Sequence, residues 1–544
     1  MRSAQPCPQV RPRPGYFPGN GAAGQRERGD MRMMRIRAGV CKAGLAFSSA
    51  LLALIFAVAW LWNTAFSFSP LVQGGLMAVW LGALLAAWAA TQRRGLLEEL
   101  VRWRWQLLAA VVLAVACAQF FVGLATRQTL TDDYGSVVNG ALLYAQQGKS
   151  AAFAQQYQWY LNHWPNNRGI FFLLALFFRV LTVLGFGGQW YTGMVCLGHL
   201  SFAVAAVCTF AYLGRAFGAK ASLAFLPLYA LFAPVYFQSS VAYTDTLSIW
   251  AAPAALLLWQ IGRDAAHWRP RLAAWAACAI CLGVGYEVKG SVAVVLAALC
   301  CEALVCLPWR RTLAALAVLG CGFALVHGAA GLVYARSGVV TPELRQTAEM
   351  PTSFWVMMGL GEPDGAYSVE DEREIMYRQT KEERQAYAAG VIRARLEEKG
   401  TAGLPAFLMR KTARTFGAGN GEIYYSLSRG PLQPGHAVYS YILEDGPHFG
   451  LFNNAAQCVY LSFYILGIAG ALASVRRKGA PAVCAPWAAL AGFYLFMLLW
   501  ESNHRQLVNQ WPLYWAAAAA GLAALGSFAA QRLPRGLHAQ NVQN

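Results

Sequence analysis

Thirteen stretches of this chain are apolar for about the length a bilayer crossing needs, and that succession limits the fold more than any other feature. A hydrocarbon core of about 30 Å takes about 20 residues of helix. Within it every backbone N–H and C=O must be paired internally, which leaves helices for runs of this length. The runs lie near 44–66, 71–91, 107–125, 169–186, 190–213, 221–237, 245–262, 271–287, 289–307, 311–334, 452–474, 482–500 and 510–530. The expected class is an all-α polytopic membrane protein, a bundle of about 12–13 transmembrane helices with juxtamembrane helices on its outer face.

Composition agrees. Charged residues make up 13% of the chain, against about 25% in soluble domains. The net charge of +18 invites a nucleic-acid reading. That reading fails, because the basic residues sit mainly between apolar runs, where they set membrane orientation. Nearly all of the 13 cysteines fall inside apolar stretches, and the polar segments 126–168 and 335–451 contain none. A disulfide framework is therefore not expected. Cys278 and Cys281 are spaced C-x-x-C within a helix and read as small hydrophobes.

Residues 1–43, rich in Arg, Pro and Gly, are expected to be a structureless basic cytoplasmic tail, with Met31, Met33 or Met34 as alternative starts. Arg93, Arg94, Arg102 and Arg104 mark one inner loop. Arg263, Arg269 and Arg271 mark a second, Arg310 and Arg311 a third, and Arg476, Arg477 and Lys478 a fourth. Segments 126–168, 238–246, 335–451 and 501–509 then fall outside. Three apolar runs separate the first two of these outer segments, and only an even number of them can cross. The 169–186 run is short and carries Arg179, so it is expected to be re-entrant or interfacial.

The resulting plan is an N-terminal transmembrane catalytic module over 44–334, an extracytoplasmic helical cap over 335–451, C-terminal transmembrane helices over 452–530 and a tail over 531–544. The cap holds 15 of the 26 acidic residues and is too long for a structureless loop. Within it KEERQAYAAGVIRARLEE reads as helical, and LPAFLMRKTARTF as an amphipathic surface helix.

Ionisable groups near a bilayer cost roughly 2.5–3.5 kcal/mol at a helix centre, so those retained are functional candidates. Asp132 and Asp133 open the first outer segment, as base, metal ligand or helix cap. Asp245 either caps its helix or faces the same cavity. Glu287 and Lys289 share one tight turn and could simply pair; Lys289 could instead neutralise a phosphate. Glu501 and Arg505 share the last outer turn, where they pair or Arg505 grips a phosphate. Arg168 is a phosphate binder or a headgroup anchor. His327 reads as a packing residue. There is no G-x-x-x-x-G-K-[ST] and no H-E-x-x-H.

Five patches occur in order: TDDYGSVVNGALLYAQQG, HWPNNRG, VAYTDTLSIW, MPTSFWVMMGLGEPDGAYSVEDE and ESNHRQL. They resemble the motifs of GT-C membrane glycosyltransferases, nearest to the group of protein O-mannosyltransferases and lipid A aminoarabinose transferases (glycosyltransferase family 39-like). Gln506 stands where that pattern commonly has Tyr, and Trp164 replaces the tyrosine of a YPNN patch. The resemblance implies an enzyme of the cytoplasmic membrane with its active site on the extracytoplasmic face. It would move a hexose or pentose from a polyprenyl-phosphate donor to a glycan, lipid or protein acceptor, with inversion. Asp133, or its neighbour Asp132, would be the general base. Arg168, Asp245, Lys289, Lys411, Arg414, Glu501 and Arg505 would bind substrate and phosphate. No metal ligand is assigned, although an acid pair could take Mg²⁺ or Mn²⁺. The competing reading is a transporter or flippase of lipid-linked saccharides or small solutes.

Overall fold

A computed structural model describes residues 20–62, 69–427, 429–433, 435–476 and 483–532. Among the described residues the regular structure is all helical, with no strand beyond an isolated bridge between Gln128 and Pro431. Nine helices among them are long and apolar enough to cross a membrane. Two shorter apolar helices, Gly290–Cys306 and Ala485–Leu499, account for two more of the thirteen runs. The remaining two are broken: Ala219–Ala230 is followed by Pro234–Gln238, and Thr244–Ser248 precedes Ala251–Asp264. The first helix starts at Asn20, inside the segment expected to be structureless; residues 1–19 and 533–544, and Arg477 and Lys478 of the fourth basic loop, lie outside the described residues.

Two opposite faces are legible from the contacts. On one, Arg215 pairs with Asp264 at 3.8 Å, Lys220 with Glu98 at 2.9 Å, and Arg93 donates to the Ala530 carbonyl at 3.2 Å. This is the face of the basic loops. The other gathers the polar segments 126–168, 238–246, 335–448 and 501–510.

The Arg168–Val183 helix resolves the crossing count. Its first turn lies on the end of the Trp268–Val288 helix, where Gly169 meets the Glu287 carbonyl. Its last turns meet Trp190 and Gly193 at the start of the next helix. Tyr191 there lies beneath Arg127, just past the end of Arg104–Ala125. Both ends therefore sit on the polar face, and the helix lies along that face instead of crossing. It packs beside Asp132–Gln147, burying Ile170, Phe171, Leu174, Ala175 and Phe178 along one stripe. Arg179 is exposed on the other side, where an interfacial helix can keep it hydrated. The remaining runs between the two outer segments, Trp190–Ala216 and Ala219–Ala230, go in and come back.

Gly169 is fixed by this crossing. A Cβ there would lie 1.7 Å from the Glu287 carbonyl oxygen, a backbone atom that cannot swing away. Gly169→Ala is therefore expected to destabilise by at least about 1–3 kcal/mol, the usual range for overpacking. A melting curve in detergent checks this; an unchanged midpoint would contradict the packing.

In the polar segment a capping box of Thr380 and Glu383 starts the long Lys381–Phe416 helix. Gly400, at φ 57°, kinks it into the two helical stretches expected from the sequence. The second stretch buries Phe407 and Phe416 against the membrane bundle. Upstream, Trp355 stacks on Trp500 at 5.7 Å with rings nearly parallel. Ser502 bonds back to Asp364 and Gly365 at 2.8 and 2.7 Å, fastening this segment to the 501–510 turn.

Candidate active site

Between this segment and the helix ends lies a cavity of about 1200 Å³. Asp132, Asp133, Arg168, Lys289, Glu501 and Arg505 all line it. They come from four segments far apart in sequence: the starts of Asp132–Gln147 and Arg168–Val183, the end of Trp268–Val288 and the 501–510 turn.

The two adjacent aspartates diverge. Asp132 has a left-handed backbone (φ 54°) and an exposed side chain, paired with Arg429. Asp133, exposed to the cavity as well, accepts a 2.7 Å hydrogen bond from the Tyr160 hydroxyl. Among the described residues only Tyr160 donates to its carboxylate. Asn167 donates to Tyr160 at 2.7 Å, and Tyr243 donates to Asn167 at 2.9 Å. Burial raises the Tyr160 and Tyr243 hydroxyls above their ordinary range, so both remain protonated donors.

The Arg505 guanidinium lies 4.9 Å from the centre of the Tyr243 ring, a cation–π distance. Asp245, fully buried just behind the cavity wall, pairs with Arg505 at 3.2 Å and with Lys289 at 2.9 Å. Asp245 thus neither caps its helix, whose N-cap is Tyr243, nor lines the cavity; it holds two cavity cations from behind the wall. Neither pairing considered from sequence forms: Lys289 goes to Asp245 and not to Glu287, and Arg505 goes to Asp245 and not to Glu501. Glu501 lies close by, its carboxyl raised by burial against the lowering pull of Arg505 and Lys289.

Arg168 reaches the cavity edge with its guanidinium already engaged. It donates to the carbonyls of Leu161 and Asn162 and pairs with Glu349 at 2.7 Å. Arg345 and Lys381 converge on the same carboxylate. Burial would raise Glu349, but bonds from Lys381 and Arg168 hold it below its ordinary value.

Lys411 and Arg414 do not line the cavity. Arg414 pairs at 2.9 Å with Glu422, which does. The buried Lys411 amine donates to the Gly359 carbonyl, and burial lowers its pKa to about 8 despite Glu501 and Asp364. A lysine depressed from 10.5 to about 8 is deprotonated first in the folded state, so stability rises with pH between those values. The stability of the wild type relative to Lys411→Met is expected to grow by up to about 3 kcal/mol from pH 8 to 10.5. Melting curves across that window check it; a flat difference would mean the amine stays charged.

Three features of the cavity were not expected. His327, expected to be a packing residue, bonds Glu287 at 2.6 Å, and Tyr334 donates to the same carboxylate at 2.6 Å. The spacing held a signal, since residues seven apart share one helix face. Arg429 carried none. The third feature is an aromatic wall of Trp164, Trp355, Phe496 and Trp500.

The divalent cation considered for the acid pair finds a poor fit. Asp132 is held by Arg429 and Asp133 by Tyr160, and among the described residues no three carboxylate or histidine groups converge in the cavity.

Residues 63–520 match the family described as conserved hypothetical integral membrane protein. The chain belongs to that family. Its members are integral membrane proteins, as the bundle requires. No curated protein matches the chain. Solved structures similar to it include ArnT from Cupriavidus metallidurans bound to undecaprenyl phosphate, at 16% identity over 77% of this chain and 78% of that one, with a TM-score of 0.31. The archaeal oligosaccharyltransferase AglB from Archaeoglobus fulgidus, in complex with an inhibitory peptide and a dolichol-phosphate, is 13% identical over 77% of this chain and 50% of that one, with a TM-score of 0.37. Superpositions this loose carry no residue correspondences.

Proposed function

We propose that this family member is a membrane glycosyltransferase that moves a sugar from a polyprenyl-phosphate donor to an acceptor hydroxyl, with inversion, on the outer face of the cytoplasmic membrane. The observation that carries the reading is the shared cavity of Asp133, Lys289 and Arg505 at the membrane edge. The Asp133 carboxylate has one protein donor and an open side, as a general base needs. Lys289 and Arg505, both held by the buried Asp245, set two cations at the cavity wall where a departing phosphate would need them. The aromatic wall suits an isoprenoid chain or the apolar face of a sugar. Asp133 takes the acceptor proton as the hydroxyl attacks the anomeric carbon, and the lipid phosphate leaves with the bonding electrons.

The test is sugar transfer by the purified chain in nanodiscs, supplied with radiolabelled polyprenyl-phosphate sugars and a membrane extract as acceptor source. Label should move to an acceptor fraction. Label that crosses a sealed bilayer still attached to its lipid, with no transfer, would identify a flippase instead.

A further inference from the structure

On the basic face, away from the cavity, three cysteines from three separate elements meet. Cys41 lies in the first helix, Cys306 ends Ala293–Cys306, and Cys484 caps Ala485–Leu499. Their sulfurs all lie within 4.8 Å of one another, the one such group of potential metal ligands among the described residues. Cys41 is 5% exposed, and the other two are half-buried. Other buried cysteines behave differently. Cys278 and Cys281 face single backbone carbonyls, Ala255 at 3.4 Å and Ala251 at 3.5 Å, as isolated thiols do.

We propose that Cys41, Cys306 and Cys484 form a three-coordinate thiolate site for a soft monovalent cation, copper(I). Zinc would need a fourth ligand in a structural site. The nearest carboxylate, Glu302, is fully committed: Trp259 donates to it at 2.9 Å, Arg263 pairs with it, and the Cys484 and Ala485 amides donate at 2.9 and 2.6 Å. Those last two bonds also fix the loop that carries Cys484. Soft thiolates select copper(I), which accepts three sulfurs without a further ligand. Binding releases three protons to solvent and leaves a doubly negative centre. Arg37, which donates to the Leu307 carbonyl one residue past Cys306, lies on hand to offset it. The positive-inside distribution turns this face to the reducing cytoplasm, where thiols stay free and copper stays monovalent. The bound cation would clamp the first helix to the two helices that carry Cys306 and Cys484.

The test uses the full chain in nanodiscs under anaerobic reducing buffer, titrated with copper(I) against a chromophoric chelator. One copper per chain and a thiolate-to-copper charge-transfer band are expected. Losing an outer partner of a metal ligand costs about 10–100-fold, so Cys41→Ser, Cys306→Ser and Cys484→Ser should each weaken binding ~100-fold or more. Cys278→Ser and Cys281→Ser should bind as the wild type does. Should a serine variant fail to fold, maleimide labelling of the wild type supplies the reading: copper should protect Cys41, Cys306 and Cys484 together. Absence of the band, copper uptake that survives loss of all three cysteines, or a preference for zinc over copper would each overturn the assignment.

Discussion

Asp133→Asn should lower the turnover of sugar transfer by about 10²–10⁴-fold, the usual worth of a positioned general base. The substitution keeps the shape of the side chain and an oxygen for the Tyr160 hydroxyl to donate to, so the fold should hold. Donor binding should change little, because the cations that would grip phosphate are held by Asp245 and not by Asp133. The loss should therefore fall on kcat with KM nearly constant. Asp132→Asn is the matched control. It removes an exposed ion pair with Arg429, and such pairs contribute about 0–1 kcal/mol. Steady-state kinetics on both variants decide the matter. Equal losses from the two, or full activity in Asp133→Asn, would remove Asp133 from the role of base.

Much of this arrangement was legible in the sequence, for identifiable reasons. Apolar length and the placement of Arg and Lys are one-dimensional quantities, so the bundle and the gathering of polar turns on one face could be read directly. Arg179 in a short apolar run and the odd number of runs pointed to a re-entrant or interfacial segment, and the contacts at the two ends of the Arg168–Val183 helix chose between them. Pairing choices were not legible. Lys289 stands two residues from Glu287, yet the backbone ends its helix there and points the amine to Asp245, while Glu287 turns to His327 and Tyr334. Chain neighbours at i and i+2 on a helix end do not face each other. Likewise Arg168 and Lys411 have the charge a phosphate site wants, but Glu349 and the Gly359 carbonyl, each more than fifty residues away, engage them first. Asp132 and Asp133 were indistinguishable as letters. The positive φ at Asp132 turns the two side chains apart.

Removing Asp245 should produce the second large effect, and through a different route. Its carboxylate is fully buried and is the shared partner of Lys289 and Arg505. Asp245→Ala leaves two cations in a partly desolvated site without that partner. Breaking a buried pair in this way costs about 3–5 kcal/mol, because an uncompensated charge remains. Asp245→Asn keeps the volume and one acceptor oxygen, so it should cost less while still freeing positive charge into the cavity. If Lys289 and Arg505 hold phosphate, the freed charge should tighten binding of free polyprenyl phosphate and slow its release. Turnover would then fall with no rise in donor KM. Melting curves read the stability cost, and product inhibition reads the phosphate. Unchanged inhibition by polyprenyl phosphate in Asp245→Asn would mean that these cations serve the fold and not the substrate, leaving Asp133 without a neighbouring phosphate site.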